Sequence, residues 1–412
     1  MNTETADLVR ASLRGTVDVE VSATGLTPLR LPLSARAQCD SDWMRIAAEQ
    51  ASGVRCEFRT AATWIELTVE TTGLHLPWVP EHVRWAVFSA TVDGDPVDDA
   101  RVTGGSELHL GEPGGPRFVK GEPAAVRFEL GGTGVEERRV VVWLPQTDTV
   151  EIRDVRADAL LRPAERLDQL RWWHHGSSIS HCIEAATPRG VWPVAAADQL
   201  GLDVTNLGFA ANAHLDQFTA RAMRDSGADL LSLKVGINIV GADTMKRRTF
   251  VPAVHGFLDT IRDGAQTAPI LVISPILCPM HEDTPGPTVT DPETGVRRGT
   301  PSQMPDPFAP PLTIGSVREI LREIVETRAS ADPALFYLDG LDLFGAADLG
   351  ELPDGLHPSP AGYLLIAERF AGAPVVSEWM AAARPDTVPA VKAQQRIGAG
   401  YRQGAVGTAT PP

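Results

Sequence analysis

Cysteine is scarce in this chain of 412 residues. Its four cysteines, Cys39, Cys56, Cys182 and Cys278, make no CxxC pair and no metal-ligand spacing with histidine. Neither a metal centre nor a cofactor is therefore expected. The thiols read as reduced and buried, with a Cys39–Cys56 disulfide as the alternative. Runs of about 18 apolar residues, the length a membrane-spanning helix requires, are missing. Met1 to Gly15 has no apolar core and does not read as a secretory signal, so the default location is the cytoplasm. Basic runs are missing as well. With 37 Lys and Arg against 53 Asp and Glu the net charge is −16, which argues against nucleic acid and anionic lipid as partners. No internal repeat is visible.

What is present changes character midway. Up to about residue 155 the rhythm is β. Val17, Val19 and Val21 alternate with acidic residues, and short apolar runs follow at 56–59, 64–69, 85–89, 126–130, 139–144 and 150–152. Between them lie Gly-rich turn signals such as Asp93-Gly94-Asp95 and Gly131-Gly132. This pattern predicts an N-terminal β-sandwich or jelly-roll-like domain over 1–160. Trp43, Trp64, Trp78, Trp85 and Phe88 fit its strand interiors, and Asp42 to Ala51 is a short helical candidate. This domain is expected to pack on the second half and wall its cleft, rather than to bind carbohydrate through exposed tryptophans.

From about 165 to 375 the runs become continuously apolar and alternate with helical stretches. Asp229–Val235, Pro269–Ile276 and Ala334–Leu338 read as strands buried on both faces, which belong to a parallel sheet covered by helices. The remainder, 376–412, reads as a loosely packed tail. Residues 278–311 hold nine prolines among 34 residues without periodicity. This loop is expected either to flank the site and help set substrate choice or to be a disordered insertion.

Four segments of the second half carry chemistry. They are His175-Gly176-Ser177-Ser178-Ile179-Ser180, Thr205-Asn206-Leu207-Gly208, Lys234-Val235-Gly236-Ile237-Asn238 and Asp354-Gly355-Leu356-His357-Pro358. Three sit at the ends of predicted strands, where open α/β folds build their sites. A serine hydroxyl needs an imidazole to take its proton, and the imidazole needs a carboxylate to fix its tautomer. An Asp and a His three residues apart across a glycine turn meet that need locally. A glycine amide and an asparagine amide at neighbouring strand ends suit a developing oxyanion.

In that order the four segments resemble the SGNH (GDSL) hydrolases, over residues 170–370. The resemblance implies a flavodoxin-like three-layer α/β/α fold and metal-free ester hydrolysis by a serine nucleophile. It implies Ser178 as nucleophile, His357 as base and Asp354 as its orienter. The Ser178 amide, the Gly208 amide and the Asn238 side chain would form the oxyanion hole. Some members carry a β-sandwich ahead of the catalytic domain and act on acylated carbohydrates. Two positions depart from the pattern, since Ser177 and Ile239 stand where the family usually has Asp. Ser177 and Ser180 therefore remain alternative nucleophiles.

Ser177, His175, Cys278 and His281 are candidate pocket residues. One of His174 and His175 is expected to line the pocket and the other to pack in the core, and His281 is the next candidate base after His357. Trp172 and Trp173 read as core, and Cys182 as a small buried group. The expected substrate is a small ester, acetyl on a sugar or other polar molecule. An acyltransferase and a non-catalytic carbohydrate-binding pseudoenzyme are the alternatives, and homo-oligomer formation is left open.

Overall fold

The computed structural model describes residues 1–39, 41–75, 86–111, 115–291, 296–300 and 308–384. Trp78, Trp85 and residues 385–412 lie outside the described residues.

Near-continuous apolar runs form strands buried on both faces because helices cover both faces of a parallel sheet. Five such strands are present: β1 (Arg171–Gly176), β2 (Asp203–Gly208), β3 (Leu230–Lys234), β4 (Ile270–Ile273) and β5 (Leu335–Leu338). All pair in parallel, in the order β2-β1-β3-β4-β5. This is the flavodoxin-like order, and its switch point lies at the carboxyl end of β1. The principal helices are α1 (Thr3–Ser12), α2 (Asp42–Glu49), α3 (Ser178–His181), α4 (Trp192–Leu200), α5 (Gln217–Asp225), α6 (Ile237–Gly241), α7 (Arg247–Arg262), α8 (Ile314–Arg328), α9 (Pro360–Gly372) and α10 (Pro374–Ala382). Among these described helices none is long and apolar enough to cross a membrane.

Side chains of β1 alternate between the two covering layers. Trp172 meets Trp192 of α4, Phe370 of α9 and Trp379 of α10, with ring centroids 6.1, 5.2 and 5.9 Å away. His175 points to the opposite layer, stacked on Phe257 of α7. Helix α10 corrects the expectation of a loose tail from 376. Trp379 is fully buried, and its indole N–H donates to the Pro269 carbonyl at 3.1 Å. Burying an indole of this size outweighs the weak signal of an Ala-rich segment.

The N-terminal half is a two-sheet sandwich. One sheet contains strands Arg55–Thr60, Ala86–Val92 and Arg138–Trp143, and the other contains Trp64–His75, Ala124–Glu129 and Asp148–Ala157. Phe58, Phe88 and Val140 of the first share one core with Ile65, Phe128 and Ile152 of the second. Pairing is antiparallel except for Trp64–His75 with Ser106–His109, which run parallel.

The two cores do not divide at residue 160. Leu31, Ala35, Cys39, Met44, Ala47 and Ala48, from α2 and the chain before it, belong to the α/β core. Cys56 belongs to the sandwich core, so the Cys39–Cys56 disulfide is ruled out by placement. Between the cores runs a buried polar seam centred on Arg30, which is fully buried. Its guanidinium donates to the carbonyls of Gln50 (2.5 Å), Asn206 (3.0 Å), Gly208 (2.6 Å) and Ala47. Its face lies over Phe209 at 5.1 Å. Among the described residues no carboxylate offsets the loss of hydration, and burial lowers its pKa to about 9.

Arg30→Met would leave these carbonyls buried without their donor. It is expected to lower unfolding free energy by at least about 3 kcal/mol, read by denaturant unfolding of the full chain. Arg30→Lys should recover only part of this, because one ammonium cannot span the same set of carbonyls.

Candidate active site

The site begins where β1 ends. A Cβ on Gly176 would lie 2.2 Å from Ser180 Oγ, so the strand can turn into α3 this tightly only with glycine there. Ser177 is the N-cap of α3, its Oγ accepting from the Ile179 amide at 3.3 Å. Ser180 Oγ is bonded to His174 Nε2 at 2.7 Å, and His174 Nδ1 to Ser232 Oγ at 2.8 Å. Both serines are fully buried. Ser178 alone among the three has its hydroxyl on the cleft, 3.0 Å from His357 Nε2.

His357 stands just ahead of α9, in a turn that its own acid organises. Asp354 Oδ1 accepts from the amides of Leu356 (2.9 Å) and His357 (2.6 Å), an Asx turn in which Gly355 takes φ +74°. Asp354 Oδ2 accepts from His357 Nδ1 at 2.8 Å and from Arg297 Nη1 at 2.7 Å. With Nδ1 donating, Nε2 presents its lone pair to the Ser178 hydroxyl. Burial works against a charged imidazole here, but the charges of Glu184 and Asp354 outweigh it, so His357 titrates above its ordinary value. Burial likewise opposes the Asp354 carboxylate. The His357 hydrogen bond and charge outweigh it and hold Asp354 well below the usual range. The line Ser178–His357–Asp354 can therefore carry a proton off the serine and stabilise the resulting cation.

The expected oxyanion donors need one correction. Gly208 does not face the cleft. Its amide donates to Asn206 Oδ1 at 2.9 Å, and an added Cβ would lie 2.4 Å from the His181 nitrogen. Glycine is needed there so that β2 can pass behind the turn that carries Ser178. The cleft-lining backbone comes two to four residues later, at Ala210, Ala211 and Asn212. Its amides are almost all engaged. Phe209 N–H donates to Gly176 O, Ala210 to His181 Nδ1, Asn212 to Phe209 O, Ala213 to Asn238 Oδ1 and His214 to Asn212 O. Among the described residues the Ala211 amide has no partner, and Ala211 takes a left-handed φ of +61°. The bond from Ala213 also fixes the Asn238 amide, which leaves Nδ2 for the cleft that Asn238 lines. Ser178 is the first residue of α3, so its own N–H has no intrahelical acceptor.

His181, which sequence reasoning did not single out, ties this loop to the sandwich. Its Nε2 donates to Gln146 O at 2.8 Å while Nδ1 accepts from Ala210. Burial keeps it neutral, with a pKa far below normal.

The cleft has a volume of about 2140 Å³. The α/β half contributes Ser178, Phe218, Asn238, Met245 and His357, while Trp43, Met44, Leu74 and Val87 come from the N-terminal half. Trp43 is thus a cleft residue on α2, 38% exposed, and not a strand-interior one. The described part of the Pro-rich segment flanks the cleft. Its strands Thr288–Thr290 and Arg297–Gly299 form a hairpin, and Met280, Thr290 and Arg297 line the opening.

The other four candidate pocket residues do not reach the cleft. Ser177 is spent on the cap. His175 is buried in the opposite layer, its Nδ1 bonded to Leu207 O. Cys278 is buried beneath Gly355, and burial pushes its thiol up to about 11. His281 is fully buried within its own loop, between Thr284 O and Thr288 Oγ1, and so cannot stand in for His357.

The GDSL-like lipase/acylhydrolase family model matches residues 175–365. No curated protein matches the chain. Solved structures similar to it include a salicylyl-acyltransferase from a tetracycline biosynthetic pathway. That protein is 25% identical, with 89% of this chain and 94% of the other covered and a TM-score of 0.71. A GDSL-like lipase from Bacteroides ovatus is 17% identical over 90% and 95% of the two chains, with a TM-score of 0.63. An acetyl xylan esterase from the rumen bacterium Butyrivibrio proteoclasticus is 9% identical over 89% and 96%, with a TM-score of 0.51. Each similarity runs through both halves of the chain. Sheet order and site position agree with that match: residues 175–365 form a domain similar to the GDSL-like lipase/acylhydrolases.

Proposed function

We propose that this protein is a serine esterase working through an acyl-enzyme on Ser178. The observation that carries the reading is the unbroken line from Ser178 Oγ through His357 to Asp354, at 3.0 and 2.8 Å. Ser178 Oγ attacks the ester carbonyl as its proton passes to His357 Nε2. The carbonyl oxygen, now negative, is met by the amides of Ser178 and Ala211 and by Asn238 Nδ2. Collapse breaks the bond to the alcohol, which leaves with the proton from His357. Water then enters, gives its proton to the same nitrogen and releases the acid, and Ser178 regains its hydrogen.

The cleft bears on the substrate. Small-molecule sites typically span roughly 300–1,000 Å³, and this one, at about 2140 Å³, is walled by Trp43, Met44, Phe218, Met245 and Met280. That lining favours an ester with a bulky apolar portion over the small acetylated sugar that family analogy suggests. A second reading replaces water with an alcohol acceptor. It is favoured by the same cleft, which has room for both partners, and by the similarity along both chains to a salicylyl-acyltransferase.

Ser178→Ala is expected to reduce hydrolysis of p-nitrophenyl esters by at least about 10⁴-fold and to abolish labelling by a fluorophosphonate, located by peptide mass spectrometry. Equal activity of the variant and the parent would overturn the mechanism. Asn238→Ala should lower kcat by about 10²–10³-fold with little change in KM, the signature of a donor used in the transition state. Trp43→Ala should raise KM for an aryl or long-chain ester while leaving that for an acetyl ester nearly unchanged. Adding alcohols and analysing products separates transfer from hydrolysis.

A further inference from the structure

A second carboxylate reaches the base. Glu184 lies on the cleft just beyond α3, with Oε1 3.6 Å from His357 Nδ1. Its other oxygen accepts a hydrogen bond of 2.7 Å from Tyr363 Oη. Tyr363 is on α9 and fully buried, so the carboxylate is held by the same helix that His357 precedes.

Glu184 has a role to fill because Asp354 is shared. The oxygen that receives His357 Nδ1–H also receives Arg297 Nη1, from the hairpin of the Pro-rich segment. If Asp354 and Arg297 were the only charged neighbours, their charges would cancel, and a protonated His357 would stand as an excess cation in a half-buried setting. With Glu184 counted, the resting cluster carries one negative charge, and it becomes neutral when His357 takes the serine proton. The Cys182 thiol nearby is kept neutral by burial, and Ser178 faces the other side of the ring. The named groups therefore close the account of charge around the imidazole.

We propose that Glu184, anchored by Tyr363, is a positioning residue for the base: it supplies the counter-charge for His357 that Arg297 withdraws from Asp354. This rests on the Ser178 mechanism proposed above. Glu184 is not asked to accept the Nδ1 proton, which stays with Asp354. Its contribution is electrostatic and acts at a distance at which an opposite charge shifts a titration by about one unit or more.

The test is the pH profile of kcat/KM for p-nitrophenyl acetate, whose acidic limb reports the base in the free enzyme. Glu184→Gln keeps an acceptor for Tyr363 while removing the charge. Its acidic limb is expected about one pH unit lower, with the plateau reduced roughly threefold, as a weaker base gives. Tyr363→Phe should reproduce part of the shift, since Glu184 is then no longer held. Asp354→Asn should retain activity above background, and adding Glu184→Gln to it should cost at least a further tenfold. A limb that stays in place in Glu184→Gln overturns the proposal, whether or not stability falls. So does a double variant no slower than Asp354→Asn. If Ser178→Ala retains activity, the mechanism itself has failed. If Ser178→Ala is inactive and the limb does not move, only the role of Glu184 has.

Discussion

A buried guanidinium without a carboxylate is the constraint on which both halves of this molecule depend. Arg30 is carried by the sandwich half, yet two of the carbonyls it holds, those of Asn206 and Gly208, belong to the strand behind the Ser178 turn. Burying a cation costs several kcal/mol, which hydrogen bonds and the Phe209 ring must offset. The arrangement therefore exists only when both halves are in place. Further bonds extend it. Asn206 Nδ2 donates to Ser52 Oγ, whose hydroxyl donates to His181 O. Arg55 pairs with Asp203, and Gln146 Nε2 donates to Ala185 O. A polar seam of this density fixes geometry more than it adds stability.

The seam reaches the chemistry through a few covalent steps. His181 is bonded to Gln146 on one side and to the Ala210 amide on the other, so the loop that presents Ala211 is positioned from the sandwich. Asn238 is oriented from the same loop by the Ala213 amide. Ala211 and Asn238, the donors proposed for an oxyanion, are thus held in place by hydrogen bonds made outside the cleft. Around the base, the turn at Asp354 and the hairpin at Arg297 come from separate segments and meet on one carboxylate oxygen.

How much of this was legible in the sequence depended on the kind of signal. Strands such as Leu230–Lys234 and Ile270–Ile273 announced themselves because burial on both faces forces an unbroken apolar run. Ser178, Asn238, Asp354 and His357 were singled out because acyl-transfer chemistry would call for those residue types in that order, and the structure brings Ser178, His357 and Asp354 into one hydrogen-bonded line. Gly208 was misread because a glycine can be needed for close packing as well as for a free amide. The open amide is Ala211, an alanine in a conformation usually left to glycine, and no residue-type pattern advertises that. Trp43 was assigned to a strand interior because an apolar stripe on a short helix does not say which core it joins. Helix α10 was hidden by an Ala-rich composition, and its one decisive residue, Trp379, carried no periodicity. His281 and Cys278 were expected at the site because they follow a strand that ends on its edge, but the burial of His281 within its loop and of Cys278 beneath Gly355 is a tertiary fact.

The membership of Leu31 to Ala48 in the α/β core has a consequence for how such a chain can be inherited. The α/β half is incomplete as a module, because part of its packing and one wall of its cleft are encoded before the sandwich is finished. Recombination that placed residues 165–384 behind a different leading domain would deliver the Ser178 turn with its supporting floor missing. The two halves share packing and hydrogen bonds that neither supplies alone, so a change along the seam is felt by both.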